Sequence, residues 1–148
     1  MFRGPAVQPL AEAPRVMPKG TRPISGGEPE MTLQEAGAIL KNPLEPSAEH
    51  IAHGKAMFDT QCAQCHGVSG RGDGPVVHLL RTKPPSLQGG LANDMSDGYI
   101  YAIIRDGKQY MPALGDAMSA HERWEVVLYV RALQGKLPRE APTQAGDQ

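Results

Sequence analysis

Several things are scarce in this 148-residue chain. Phe, Tyr and Trp together make up 5%, hydrophobic residues of all kinds 40%, and there are only two cysteines. Side chains so lean in apolar bulk build a small core for this length, so either part of the chain stays outside the core or something other than side chains fills it. No charge of one sign dominates: Lys and Arg total 15, Asp and Glu 16. Non-specific nucleic-acid binding, which needs a basic surface, is thereby excluded. No run of about 20 apolar residues exists, so no transmembrane helix of its own is expected. The start, MFRGPAVQPL, carries no apolar stretch of signal-peptide length.

Proline and glycine, by contrast, are plentiful at 14 and 17. Eight of the prolines fall within residues 1–46. Each removes a backbone donor and biases its predecessor toward extended conformations. Residues 1–46 therefore read as an extended Pro-rich arm, interrupted by one short helix. That helix is marked by Thr32 and Glu35 at capping-box spacing, with Ala36, Ile39 and Leu40 following. Residues 47–137 read as one compact all-α domain, and residues 138–148 as a polar C-terminal tail. In the domain, one helix is predicted from Ser47 to about Gln64 and another over about Ser96–Arg105, ended by Gly107. The last begins at Ser119, with Glu122 at capping-box spacing, and runs through Trp124, Val127 and Leu128 to Leu133. A Gly-rich loop, Gly67 to Gly74, and the segment Lys83-Pro84-Pro85-Ser86 separate the first two helices.

The two cysteines stand as Cys62-Ala63-Gln64-Cys65-His66. Cys-x-x-Cys-His is the attachment signature for c-type haem. Two thiols on one helical turn can each add to one vinyl group of the macrocycle, and the following His can ligate the iron. The covalent group would also supply the apolar bulk that the side chains lack. A redox dithiol would need a βαβ context that this helical pattern does not offer. A structural zinc site normally needs four ligands, and no remaining His pairs with the cysteines at zinc spacing.

A second axial ligand is sought among Met57, Met95, Met111 and Met118. Met111, in Gln109-Tyr110-Met111-Pro112-Ala113, lies in a loop between helices and is the preferred candidate, with Pro112 stiffening its backbone. Met118, just before the N-cap Ser119, is the alternative, although a staple role in packing suits it. A bis-His pairing through His50, His53, His78 or His121 is the weaker option. Further haem-pocket candidates are Leu87, Ile103, Ile104, Tyr110 and Trp124, and Arg81 or Lys83 could pair with a propionate. No nucleophile, base or substrate pocket stands out, so a haem held here is expected to transfer single electrons, and the chain is not expected to be itself an enzyme.

The order of helix, Cys62-Ala63-Gln64-Cys65-His66-Gly67, Gly-rich loop, Met111-Pro112-Ala113-Leu114-Gly115 and Arg123-Trp124-Glu125-Val126-Val127-Leu128-Tyr129 resembles class I c-type cytochromes. The resemblance implies an all-α fold around one covalently bound haem c. It also implies a close crossing of the first and last helices, through Gly54 and Phe58 against Val126 and Tyr129. It further implies a Pro carbonyl that accepts a hydrogen bond from His66. Pro75, Pro84 and Pro85 all qualify, and Pro85 is preferred.

A closer resemblance rests on Gln8-Pro9-Leu10, Gly20-Thr21-Arg22-Pro23, Asn42-Pro43-Leu44, Gly70-Arg71-Gly72-Asp73-Gly74 and Asp97-Gly98-Tyr99. These are similar to the monohaem cytochrome c subunit of bacterial alternative complex III. What that implies is a peripheral subunit on the periplasmic face of the inner membrane, in a quinol-oxidising complex. Residues 1–46 would lie on other subunits, and electrons would pass to a redox partner cytochrome or terminal oxidase. A mobile or oxidase-associated carrier is the alternative. Haem attachment outside the cytoplasm implies an export signal, so the numbered chain is read as a mature or partial product. No N-terminal Cys supports a lipoprotein anchor.

Overall fold

The structure, a computed structural model, describes Pro18, Thr21 and residues 27–137. The chain divides into two units, residues 1–30 and 31–148. In the first, the Thr21 backbone N–H and hydroxyl both donate to the Pro18 carbonyl, at 3.1 and 2.8 Å. The expected tail, residues 138–148, and the arm motifs at Gln8–Leu10 lie outside the described residues.

The second unit contains α1 (Leu33–Ile39), α2 (Ala48–Gln61), α3 (Ala63–His66), a 3-10 turn (Val77–Leu79), α4 (Leu91–Asp94), α5 (Asp97–Asp106) and α6 (Ala120–Leu133). No strand occurs among the described residues, in keeping with an all-α reading. No described helix is long and apolar enough to cross a membrane. The start signals act locally. Thr32, Ser47, Ser96 and Ser119 each accept a backbone N–H at their helix start, and Thr32 and Ser119 complete capping boxes with Glu35 and Glu122. The first domain helix does not run unbroken to Gln64. It stops at Gln61, and Cys62 both caps α2 through Phe58 and starts the short α3.

The packed unit begins earlier than residue 47. Ala36 on α1 is fully buried, and a Cβ at Gly98 would collide with the Ala36 carbonyl. The Ser96 hydroxyl donates to the Gly37 carbonyl at 2.7 Å, and Asn42 Nδ2 donates to the Trp124 carbonyl at 3.1 Å. Leu40 and Leu44 pack against the main cluster. Residues 31–46 are therefore part of this unit and not of an extended arm. The reason is steric: small residues on α1 and α5 let the two backbones approach, which a count of bulky residues does not reveal.

The frame of the unit is the crossing of α2 with α6. Gly54 lies against the Glu125 carbonyl so closely that a Cβ there would overlap it. One turn on, the Phe58 and Tyr129 rings meet edge to face, 5.2 Å between centroids. Val126 is buried at the same crossing.

Candidate functional site

The main apolar cluster gathers Phe58, Cys62, Ala63, Tyr101, Ile104, Met118, Trp124 and Val126, with Leu87, Ile100, Met111 and Leu114 partly buried against it. Trp124 stacks on Tyr101 at 4.1 Å and 18°. Sequence candidates Cys62, Leu87, Ile104, Met111 and Trp124 thus meet around one cluster. Tyr110 does not: it sits at a turn tip and is 68% exposed. The sequence offers an aromatic next to Met111, but the turn aims it outward.

The cysteines are free thiols one helical turn apart, and the backbone N–H groups of Cys65 and His66 both donate to the Cys62 carbonyl. Burial, and then the neighbouring Cys65, push the Cys62 thiol up to about 12. A thiol-exchange centre needs an attacking thiolate near ambient pH, so this environment opposes a redox dithiol. Among the described residues, neither cysteine belongs to a cluster of three or more metal donors.

Burial lowers the pKa of His66, so its imidazole is neutral at pH 7. The Pro85 carbonyl acts on the ring in the opposite direction. Nδ1 itself is buried and completes no hydrogen bond within the described residues. The loop accounts for how Pro85 comes to be there. Gly72 donates its N–H to the His66 carbonyl at 2.7 Å, and a Cβ on Gly72 would collide with the Pro84 carbonyl. Leu87 N–H donates to the Gly70 carbonyl at 2.7 Å. Only a glycine loop lets the Pro84-Pro85 backbone lie this close to the His66 turn.

Met111 is placed by a tight turn. Lys108 and Met111 exchange backbone hydrogen bonds of 3.0 and 2.9 Å, with Gln109 at φ 53°. Gly107, at φ 75°, faces the Met111 carbonyl and Ala113 N–H; an added Cβ would lie 2.6 Å from the former. Leu114 and Gly115 N–H groups then return to the Ile104 and Arg105 carbonyls, at 2.9 and 3.0 Å. Met118, by contrast, is 3% exposed and belongs to the core. Sequence reading did not single out Arg123 as an organiser of this loop. It is buried on α6 and donates to the Gly115 and Met118 carbonyls and to the Tyr101 hydroxyl, at 2.8, 2.6 and 3.0 Å. An Arg at the first turn of an apolar helix was the available signal. Gln134 was also missed; its amide donates to the Leu87 and Ala92 carbonyls at 2.9 and 3.1 Å.

The residues present fit a covalent haem: two unbridged thiols, a neutral imidazole beside them, and a thioether held over the same cluster.

Comparison with known proteins finds relatives among the cytochromes. The chain is 24% identical over 132 residues to the cytochrome bc1 complex cytochrome c subunit of Corynebacterium diphtheriae, covering 82% of this chain and 42% of that protein. It is 28% identical over 96 residues to cytochrome c550 of Pseudomonas aeruginosa, covering 60% and 61% of the two chains. It therefore spans less than two thirds of either curated relative. Among solved structures, a reducing HAO-like protein complex of Kuenenia stuttgartiensis aligns with a TM-score of 0.57 and 30% identity, over 72% of this chain and 50% of that one. Cytochrome cL of Methylophaga aminisulfidivorans aligns with a TM-score of 0.52 at 18% identity, over 75% and 78%, and shares the fold. Residues 49–130, more than half of the chain, match the family described as cytochrome c oxidase, cbb3-type, subunit III, and the chain belongs to that family of c-type cytochromes.

Proposed function

We propose that Cys62 and Cys65 would hold one haem c through two thioethers, that His66 and Met111 would ligate its iron, and that the chain passes single electrons between partner proteins. The observation that carries this is the pair of unbridged thiols beside a buried, neutral His66. Bound there, haem c supplies a one-electron iron couple. The chain's residues do the rest. The Pro85 carbonyl, which acts on the His66 ring, would accept from Nδ1–H and so favour the tautomer that frees Nε2 as a donor. Met111 brings a donor with no proton to lose, so its ligation does not depend on pH. Leu87, Ile104 and Trp124 keep water from the site. A site closed on both faces needs no substrate pocket and moves no proton or group, so the role is transfer and not catalysis.

The test is a mass and a spectrum. Purified protein should weigh one haem more than the polypeptide and show sharp α and β bands on reduction. A bare mass, or haem lost to acid acetone, ends the reading.

The finer reading is a subunit of a quinol-oxidising membrane complex of the alternative complex III type, on the extracytoplasmic side. Two observations support it: residues 1–30 carry six prolines, and one relative is named as a subunit of the bc1 complex. A segment that cannot fold alone can wrap a partner surface. A mobile or oxidase-associated carrier is favoured instead by the match to cytochrome c550. Mild membrane solubilisation separates the two: copurification with other redox subunits supports the complex, and elution of the chain alone supports the carrier.

A further inference from the structure

Three histidines outside the haem site converge on one carboxylate. Glu125, on α6, is 3% exposed. Its Oε1 lies 2.9 Å from His50 Nδ1, 3.3 Å from His121 Nε2 and 3.5 Å from His53 Nδ1. His50 and His53 sit one turn apart on α2, and His121 and Glu125 one turn apart on α6. The contact at Gly54 brings the two pairs together, because it lets the helix backbones approach at that level.

A buried carboxylate needs a donor, and His50 supplies one through its hydrogen bond to Oε1. The other two rings stand beside that oxygen at ion-pair distance without a hydrogen bond to it. A cation among the donors would give each nitrogen a partner for its own lone pair. The spacing suits this. Metal–donor bonds of about 2.0–2.1 Å in a tetrahedron place neighbouring donors about 3.3 Å apart. The separations from Glu125 Oε1 to the His50 and His121 nitrogens, 2.9 and 3.3 Å, are close to that edge length. The donor atoms of His50, His121 and Glu125 all lie within 4.8 Å of one another. A cleft of about 470 Å³, lined by His53, Met57, Ser119, His121, Glu122 and Glu125, gives an ion access from solvent.

We propose that His50, His121 and Glu125 form a binding site for a divalent transition ion of the zinc type, with His53 at its rim, 3.5 Å from the same carboxylate oxygen. Imidazole and carboxylate donors suit Zn(II), which has no redox chemistry of its own. The ion would tie α2 to α6 on the side of the crossing away from the thiols, as a clamp on the frame that carries the haem. The site shares no residue with the haem donors, so it stands or falls apart from the electron-transfer reading.

Zinc titration of the haem-loaded full chain by calorimetry, at neutral pH, tests it. The expected result is one zinc per chain, with a zinc-dependent rise in unfolding temperature. The double variant His50→Ala/His121→Ala should weaken binding by at least about 100-fold and abolish that rise. Both histidines are partly exposed, and an unchanged haem spectrum certifies that the variant is folded. His78→Ala, outside the cluster, should bind zinc as the parent does. Absence of binding by the parent, equal binding by the double variant, or an equal loss in His78→Ala would overturn the proposal.

Discussion

Met118 is 3% exposed and shares a cluster with Trp124, whereas Met111 is half-buried on a turn pinned by Lys108 and Gly107. Replacing each should therefore do different things. Met118→Ala leaves a cavity and should cost about 2–5 kcal/mol of stability, read by denaturant unfolding, while the haem spectrum stays unchanged. Met111→Ala should retain covalent haem, lower the reduction potential, and let the reduced protein bind carbon monoxide rapidly, which the parent should not. A Met118 variant that binds carbon monoxide, beside a Met111 variant that does not, would reverse the assignment. At this level the sequence was informative where chemistry dictates spacing. Cys62, Cys65 and His66 stand together on one turn, and that spacing is visible in the sequence itself. It was silent where a contact depends on chain reversal. Tyr110 points away because of the left-handed Gln109, and Arg123 and Gln134 reach carbonyls that no local pattern marks.

Helices here start by side-chain chemistry that is local, so their beginnings were readable residue by residue. Ser119 and Glu122 illustrate what such a cap contributes. The Glu122 carboxyl is held below its ordinary value of 4.5, first by hydrogen bonding to the Ser119 side chain and then to its backbone. A carboxylate whose pKa is depressed in the folded state stabilises above its unfolded value, and that contribution is lost as pH falls through the folded one. Ser119→Ala should therefore cost about 1 kcal/mol at neutral pH, and the gap to the parent should narrow as pH drops below the ordinary carboxylate range. A gap that stays constant down to strong acid would show that Glu122 has no part in the cap. The crossing of α2 and α6 is a harsher test. At Gly54 a methyl group would meet the Glu125 carbonyl, a backbone atom that cannot swing aside. Gly54→Ala should cost about 3 kcal/mol, the upper end for overpacking, and a denaturation midpoint equal to the parent's would contradict the close approach. The shortest pieces, Val77–Leu79 and Leu91–Asp94, escaped sequence reading because three or four residues carry no periodicity.

The boundary of the folded unit was the least legible feature of the whole molecule, because it rests on small residues. Prolines up to Pro46 argued for an arm of that length, yet Ala36 is buried, Gly98 admits the α1 carbonyls, and Asn42 reaches the Trp124 carbonyl. Composition counts bulk and cannot register a close approach made possible by lacking it. The consequence is a pair of truncations with opposite expectations. A chain beginning at Met31 keeps α1 and every contact just named, so its haem spectrum should match that of the full chain. A chain beginning at Ser47 loses the packing of Ala36, Leu40 and Leu44 and the Asn42 hydrogen bond. It exposes part of the core that Trp124 and Ile104 complete, and should be less stable by several kcal/mol, on the order of two buried aliphatic side chains. If residues 1–30 serve to dock the chain on a complex, the Met31 form should also be the one that is fully folded yet no longer copurifies with membrane partners. Should it copurify undiminished, docking belongs to the helical unit, and the Pro-rich segment has no part in assembly.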